Sequence, residues 1–204
     1  MKTKGRVAVL LSGRGSNFEA IYKNSLKRDA NYRVVVVVSN KKDAPGLQKA
    51  SEFGLDFFHV APKSYKTKTA YERAIIAILE EYSVDLLCLA GYMKIVGEEL
   101  LQAYENRIMN IHPALLPSFP GLHAQKQAVD HGVKISGCTV HFVDAGVDTG
   151  PIILQRPVEV RDDDSEDTLG QRILKEEHEI FSEAVRLFFK KKLKIKNRKV
   201  IIIE

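Results

Sequence analysis

The sequence lacks the features that mark several large classes of protein. Its 204 residues include only two cysteines, Cys88 and Cys138, which lie in apolar stretches and form no C-x-x-C pair. No set of histidines and carboxylates has the spacing of metal ligands, so we expect no metal site. The first apolar run, Val7 to Leu11, is too short for a signal peptide, and no later run is long enough to cross a bilayer. These absences predict a cytoplasmic protein without a metal, with two buried thiols in the reduced state.

The sequence also lacks internal repeats, low-complexity segments and linkers, which predicts one domain. At this length a chain can bury roughly 70% of its unfolded surface, so it needs no disulfide to fold. The net charge of +5 depends largely on the basic tail, Lys190 to Lys199. Leu193 and Ile195 alternate with lysines there, which favours a short two-stranded appendage with a solvated charged face over a nucleic-acid-binding segment. We therefore expect a domain over residues 1–189 with an appendage over residues 190–204.

Hydrophobic patterning predicts strands that alternate with helices over the first half of the chain. Such alternation is typical of βαβ units and of a parallel sheet. The predicted strands are Arg6 to Leu11, Val34 to Val38, Phe57 to Val60, Asp85 to Ala90 and Arg107 to Ile111. The predicted helices begin at Ser16, Leu47 and Thr69.

The second half of the chain has a different pattern. Ser136 to Val143 and Ile152 to Val160 are predicted strands with no helix between them, and Thr168 to Phe189 is a long amphipathic helix. The fold class we predict is α/β: a doubly wound, mostly parallel, Rossmann-like sheet with an antiparallel C-terminal extension and a long C-terminal helix. Ligands of such sheets bind beyond the carboxyl ends of the strands.

A glycine-rich loop, Gly13 to Asn17, follows the first strand. Glycines let the backbone approach a ligand, and the helix that follows directs N–H groups towards an anion. The loop is neither G-x-G-x-x-G nor a P-loop, so it favours a phosphate monoester over a dinucleotide or a nucleoside triphosphate. The alternative is a tight turn in which Ser16 caps the helix, and the loop alone does not decide between them.

The octapeptide Asn110 to Pro117 holds the most informative residues of the chain. Asn110 and His112 are two apart, which on an extended segment aims both side chains at one face. Pro113 favours that extended geometry because it disfavours a helical conformation at the preceding residue. An amide that donates to a developing oxyanion and an imidazole that moves a proton are the two parts that acyl transfer to an amine requires. A strand end with a surface Asn and His is the alternative interpretation.

A second histidine and a glycine-rich acidic loop follow. His141 lies on the same face of its predicted strand as Thr139, and the loop after it carries Asp144 and Asp148. A carboxylate close to an imidazole stabilises the protonated ring and fixes its tautomer. Asp148 is thus a potential partner for His112, although the aspartates of an ordinary turn would also bond to the backbone.

Together these motifs resemble a known family, the phosphoribosylglycinamide formyltransferases, from about residue 6 to about residue 189. The motifs are Ser12 to Asn17, Ser39-Asn40, Leu89 to Met93, Asn110 to Pro117, Phe119 to His123, Gly137 to His141 and Asp148 to Pro151. The Asn-x-His…Asp signature is shared with methionyl-tRNA formyltransferase and with formyltetrahydrofolate hydrolase. The Gly-Ser-Asn of the first loop points to the phosphoribosyl substrate.

The resemblance implies transfer of a formyl group from 10-formyltetrahydrofolate to the amine of glycinamide ribonucleotide, in purine biosynthesis. It implies three catalytic residues: Asn110 and protonated His112 stabilise the oxyanion, His112 also handles protons, and Asp148 raises the pKa of His112 and positions it. Supporting and binding roles fall on His141, on Glu177 near the ribose and amine, and on Gly15, Ser16 and Asn17 for the phosphate. The implied folate-binding residues are Lys68, Met93, Lys94, Ile95, Val96, Asn110, Asp144, Ala145, Gly146, Val147 and Asp148.

Two details and two alternatives accompany this interpretation. Lys68 stands where the family often has an arginine, and Lys lacks the bidentate fork that binds a carboxylate. The family's Leu-Leu-Pro segment implies a cis peptide bond at Leu116–Pro117.

The alternatives are formyltetrahydrofolate hydrolase, which usually carries an extra N-terminal domain, and a non-catalytic nucleotide-binding module whose tail engages RNA. The predicted partners are the two small substrates, without nucleic acid or membrane, for a monomer or a homodimer.

Overall fold

The computed structural model describes residues 4–203. It divides into two compact units, residues 1–109 and residues 110–204. Each unit combines strands with helices, so the predicted α/β class is confirmed for both.

The first unit contains a parallel sheet. Its strands are β1 (Gly5–Leu11), β2 (Tyr32–Ser39), β3 (Asp56–His59) and β4 (Leu86–Leu89), in the order β3-β2-β1-β4. Both β2 and β4 pair with β1 in parallel, and β3 pairs with β2 in parallel. Since the chain builds outward from β1 to β3 and then returns to β4, the strand order reverses between β1 and β4. The carboxyl ends of those two strands are where a doubly wound sheet binds its ligand.

Helices cover this sheet because their apolar faces need burial. They are α1 (Ser16–Ser25), α2 (Pro45–Glu52), α3 (Lys68–Glu81) and α4 (Glu98–Ala103). Phe18 and Ile21 of α1 and Ile75 and Leu79 of α3 are fully buried, and the β1 residues from 7 to 11 have no exposed surface. Burial of each such side chain contributes about 1.5–3 kcal/mol, which makes this layer the core of the unit.

The second unit begins within a strand, β5 (Ile108–His112), and continues through α5 (Ala124–Asp130), β6 (Ile135–Phe142), β7 (Ile152–Glu159) and the long helix α6 (Glu166–Phe189). β6 and β7 are antiparallel, and α6 packs against both. A capping box starts α6: Ser165 Oγ accepts from the Thr168 N–H at 3.2 Å, and Thr168 Oγ1 accepts from the Ser165 N–H at 2.9 Å.

The basic tail folds as predicted, into the hairpin of β8 (Leu193–Lys196) and β9 (Lys199–Ile202). β9 joins β7 in parallel at the pair Ile152 and Lys199. Arg198 in the turn of the hairpin donates to the Thr149 carbonyl at 2.9 Å. The hairpin is therefore attached to the start of β7 rather than extended into solvent.

The other predictions about elements agree with the structure within about three residues at each boundary. The long helix begins at Glu166 rather than Thr168, and the strand that carries Asn110 extends to His112. The pattern did not reveal the short helices α4 and α5. The Leu116–Pro117 peptide bond is cis, as the resemblance implied. Among residues 4–203 no helix is long and apolar enough to span a membrane.

Candidate active site

Strand β5 presents Asn110 and His112 on one face, as their spacing predicts. Alternate residues of a strand share a face, and Ile111 between them turns into the apolar interior. Asn110 is half-buried, whereas the His112 residue keeps only 4% of its surface exposed. Pro113 follows at once, and the strand ends at His112. The imidazole is thus buried at the carboxyl end of a strand.

Asp148 lies in the loop from β6 to β7 and meets Asn110, His112 and His141. Its Oδ2 is 3.3 Å from His112 Nδ1 and accepts from the Gly121 N–H at 2.9 Å. Its Oδ1 accepts from Asn110 Nδ2 at 3.4 Å and lies 3.6 Å from His141 Nε2. One carboxylate therefore connects the predicted oxyanion donor with the predicted proton carrier.

The loop backbone holds Asp148 in that position by unusual geometry. Asp148 has φ +54°, in the left-handed region that Asp and Asn tolerate better than most residues. Gly150 must be a glycine, because an added Cβ would overlap the carbonyl oxygen of Phe142. The pairing of β6 with β7 also shifts register between Val140 and His141. This irregularity occurs where β6 reaches the site, and bulges of this kind re-aim side chains.

His141 orients Asn110. Its Nδ1 is 2.8 Å from the Phe142 carbonyl, which can only accept, so Nδ1 carries the proton. Its Nε2 then accepts from Asn110 Nδ2 at 3.2 Å. Only the long 3.4 Å contact to Asp148 engages the second amide hydrogen of Asn110. That hydrogen is the one the side chain can offer to an oxyanion.

Opposing influences act on the protonation of His112. Burial lowers the pKa of His112 below its ordinary value, while the Asp148 carboxylate and the Phe119 carbonyl act to raise it. Both ring nitrogens face acceptors, since Nε2 is 2.8 Å from the Phe119 carbonyl and Nδ1 faces Asp148. The expected upward influence of Asp148 is therefore present, but the net direction is downward because desolvation of the charged ring is the larger effect. The ring is therefore mainly neutral at pH 7, and Asp148 and the Phe119 carbonyl lie in position to stabilise the imidazolium when it forms.

The two aspartates of the loop have different environments. Burial acts to raise the pKa of Asp148, but the neighbouring His141 imidazole, the hydrogen bond from the Gly121 N–H and the nearby His112 ring together outweigh it and lower the pKa below its ordinary value. Asp144 instead closes the turn: its Oδ1 accepts from the Gly146 N–H at 3.1 Å and from the Thr149 hydroxyl at 2.6 Å. Asp148 is thus a permanent anion beside His112, while Asp144 shapes the loop, as do the exposed residues Ala145, Gly146 and Val147.

Glu177 and the two cysteines are also buried. Glu177 lies on the face of α6 that packs on the sheet and keeps 7% of its surface exposed. Burial, followed by the carboxylates of Glu177 and Glu176, raises the pKa of Cys138 to about 12. Burial likewise raises the pKa of Cys88, so neither thiol is a nucleophile at neutral pH.

In the first unit, the glycine-rich loop follows β1 at the point where strand order reverses. Gly15 has φ +70° and occupies the N-cap position of α1, so Ser16 does not cap the helix in the way that the alternative interpretation of the loop required. Gly15 also allows close packing, because a Cβ there would lie 2.9 Å from the Cα of Gly46. Ser16 and Asn17 then supply the first turn of α1, whose leading N–H groups have no acceptor within the helix.

Three of the five predicted folate-binding residues of the first unit, Lys68, Lys94 and Ile95, line a cavity of about 300 Å³. The other lining residues all come from the 62–71 segment: Pro62, Tyr65, Lys66, Thr67 and Tyr71. Met93 and Ile95 are 61% and 65% exposed, which is unusual for large apolar side chains on a loop. The cavity thus offers apolar surface with cationic groups at its edge, which suits a flat ligand that carries carboxylates.

Ser12 and Glu72 hold the two ends of the 93–96 segment, and the sequence alone assigned a role to neither. Ser12 accepts from the Met93 N–H at 2.8 Å and donates to Asn40 Oδ1 at 2.6 Å. Ser12 could have been found, because its motif ends the first strand. Glu72, a buried carboxylate on α3, gave no signal in the sequence, because one Glu on an amphipathic helix resembles any other. Over residues 4–203, no group of three His, Cys, Asp or Glu side chains could hold a metal ion.

A buried Asp–His pair beside an oriented amide, at the end of a strand in an α/β fold, is an arrangement suited to acyl transfer. The chain matches the formyl transferase family model over residues 5–185 and belongs to that family. It is 45% identical to phosphoribosylglycinamide formyltransferase of Bacillus subtilis (strain 168), over 89% of this chain and 93% of that protein. It is 50% identical to the crystal structure of glycinamide ribonucleotide transformylase 1 from Symbiobacterium toebii, with a TM-score of 0.98, over 100% of this chain and 96% of that one.

A larger relative shows the same segment inside a longer protein. The human trifunctional purine biosynthetic protein adenosine-3 is 43% identical over 91% of this chain, which spans 18% of that protein's length.

Proposed function

We propose that the protein transfers the formyl group of 10-formyltetrahydrofolate to the amine of N1-(5-phospho-D-ribosyl)glycinamide, a step of purine biosynthesis. The observation that carries this proposal is the Asp148 carboxylate, which lies 3.3 Å from His112 and 3.4 Å from Asn110 through its two oxygens. The similarity to phosphoribosylglycinamide formyltransferases supports the identity of both substrates.

In the reaction, the amine of the substrate attacks the formyl carbon, and a C–N bond forms as the carbonyl oxygen becomes an oxyanion. Asn110 donates its second amide hydrogen to that oxyanion. His112, neutral at the start, takes a proton from the attacking nitrogen and returns one to N10 of the folate as the C–N10 bond breaks. Asp148 stabilises the imidazolium that forms in between, the role of the aspartate in a Ser-His-Asp triad. The products are the N-formyl ribonucleotide and tetrahydrofolate.

The remaining roles are the ones that the family resemblance implies. Gly15, Ser16 and Asn17 hold the phosphate with the leading N–H groups of α1. Lys68 and the 93–96 segment bind the folate, together with the 144–148 loop. Glu177 binds the ribose or the amine, and His141 supports Asn110. The domain extends over residues 1–189 with the 190–204 hairpin as its appendage.

We also propose that the protein acts in the cytoplasm, as a monomer or a homodimer, without nucleic acid. Free, buried thiols at Cys88 and Cys138 support the reducing compartment.

A spectroscopic formyl-transfer assay with the ribonucleotide and 10-formyltetrahydrofolate tests the activity. We expect formylated ribonucleotide and tetrahydrofolate in equal amounts. Formate released at a comparable rate without the amine substrate would instead identify the hydrolase. Asn110→Ala and His112→Ala should each lower turnover by about 10²–10³ while the fold is retained, since each removes one group that acts in the transition state. Turnover of His112→Ala close to wild type would exclude its assigned role.

A further inference from the structure

Glu72 is a buried carboxylate for which the proposed reaction has no use. It lies on α3 and keeps 2% of its surface exposed. A charge in such a place needs close partners, because its lost hydration costs several kcal/mol. The identity of those partners indicates what the side chain does.

The partners of Glu72 are at the start of α4. Its Oε1 accepts from the Gly97 N–H at 2.6 Å, and its Oε2 accepts from the Leu100 N–H at 3.4 Å. Gly97 is the N-cap residue of α4 and has no side chain with which to cap it. Glu72 therefore supplies that cap from another helix and places a negative charge at the positive end of α4.

The contact leaves little room at position 97. A Cβ on Gly97 would lie 2.5 Å from Glu72 Oε1 and 2.6 Å from Lys68 Cε, so a larger residue would displace both side chains. Lys68 Nζ is in turn 3.9 Å from Glu72 Oε1. Glu72 thus holds the backbone at Gly97 and lies beside the ammonium of Lys68.

Gly97 follows the 93–96 segment, in which Ile95 lines the cavity. The start of that segment is held by the Ser12 hydroxyl at the Met93 N–H and by the contact of the Tyr71 and Tyr92 hydroxyls at 2.6 Å. Met93 and Ile95, in contrast, are largely exposed. The segment is therefore a loop anchored at both ends, and Glu72 is its C-terminal anchor.

We propose that Glu72 is a positioning residue of the folate site. Through Gly97 and Lys68 it sets the wall of the 300 Å³ cavity on two sides, without touching the ligand itself. This inference rests on the proposed function, because it assumes that the 93–96 segment and Lys68 bind the folate.

Steady-state kinetics and tetrahydrofolate binding test the proposal in the full-length protein. Glu72→Gln keeps the shape and one acceptor oxygen but loses the charge, and Glu72→Ala loses both. We expect the KM for 10-formyltetrahydrofolate and the Kd for tetrahydrofolate to rise roughly fivefold in Glu72→Gln and more in Glu72→Ala. The KM for the ribonucleotide and kcat should stay within about twofold of wild type, since the chemistry residues are unchanged.

Glu99→Gln is the matched control. Glu99 also connects α4 to α3, through Arg73 at 3.1 and 3.2 Å, but on the exposed side. We expect it to leave the folate KM unchanged. Gly97→Ala should reproduce the folate defect of Glu72→Gln, because it displaces the same contact.

The outcomes separate this proposal from the one on which it rests. A wild-type protein that binds no tetrahydrofolate overturns both. A wild-type protein that binds it, with Glu72→Gln binding equally well, overturns the role of Glu72 alone. A purely structural role is indicated if kcat falls with the melting temperature while both KM values are unchanged, and this too overturns the proposal.

Discussion

The exchange of Asp148 for Asn tests how the buried imidazole is controlled. Asn is nearly isosteric, tolerates the φ of +54° and can still accept from Gly121, so the loop should keep its conformation. What disappears is a negative charge 3.3 Å from His112 Nδ1. An opposite charge at such a distance raises a pKa by roughly 1–3 units, and each unit corresponds to about 1.4 kcal/mol.

The same energy should be visible in two measurements. The pKa of His112, already below its ordinary value, should fall by a further roughly 1–3 units in Asp148→Asn. Because the neutral ring is the active form, the acidic limb of kcat/KM rises with pH through this pKa, and the limb should move to lower pH in the variant. The plateau above it should fall by about 10- to 1000-fold, since the imidazolium that forms during the reaction has lost its counter-ion.

The assay is the pH dependence of formyl transfer, with an NMR titration of the His112 ring as a direct check. Asp144→Asn is the control, because it removes the same charge from the same loop. The Asp144 carboxylate accepts hydrogen bonds from Gly146 and Thr149 within its own turn. We therefore expect the acidic limb of the Asp144→Asn profile to match that of the wild type. The reasoning is refuted if the limb of Asp148→Asn stays in place or moves to higher pH. It is also refuted if the plateau remains at the wild-type level.

Three further predictions concern other parts of the molecule. Lys68→Arg should lower the KM for a folate with a glutamate tail by up to about fivefold in steady-state kinetics, because a guanidinium binds a carboxylate bidentately; an unchanged KM would show that the ammonium makes no contact with it. Glu19→Gln should lower the free energy of unfolding at pH 7 by about 1 kcal/mol, since Lys23 and Lys49 lower the pKa of Glu19 from 4.5 to about 2 and the pairs are partly exposed. That difference should be complete above pH 4.5 and vanish as the pH falls to about 2 in urea titrations, and a constant difference would contradict it. Deletion of residues 190–204 should leave formyl transfer in place apart from a loss of stability, whereas salt-sensitive RNA binding abolished by the deletion would support the nucleotide-binding module.

The sequence allowed the fold and the second-unit site to be predicted because both depend on local spacing. The two-residue interval from Asn110 to His112 is a strand period, so one element presents both side chains. The glycine-rich loop with Asp148 follows directly after the strand that carries His141, which brings the carboxylate within reach. Such features follow from the order of residues along the chain.

Other features could not be predicted, because they depend on opposing energetic contributions or on contacts between residues that are far apart in the sequence. The pKa of His112 depends on two opposing effects: burial lowers it, and the Asp148 carboxylate and the Phe119 carbonyl raise it. Which effect is larger depends on distances that only the structure gives. Glu72 meets Gly97 across 25 residues, with no motif at either position. The short helices α4 and α5 have six and seven residues, too few for a periodic pattern to emerge. The N-cap of α1 could not be decided from the sequence, because Ser16 is a common capping residue, whereas the left-handed Gly15 takes that position.

The hairpin of β8 and β9 also has a consequence for how the protein behaves at high concentration. The exposed edge of a sheet is a template on which another chain can add a strand. β9 covers the start of β7, and β8 becomes the outer strand, where Lys194 and Lys196 alternate with Leu193 and Ile195. A second copy that added to this edge would bring like charges together, which opposes assembly into aggregates. The lysines that raise the isoelectric point would thus help to keep the molecules apart.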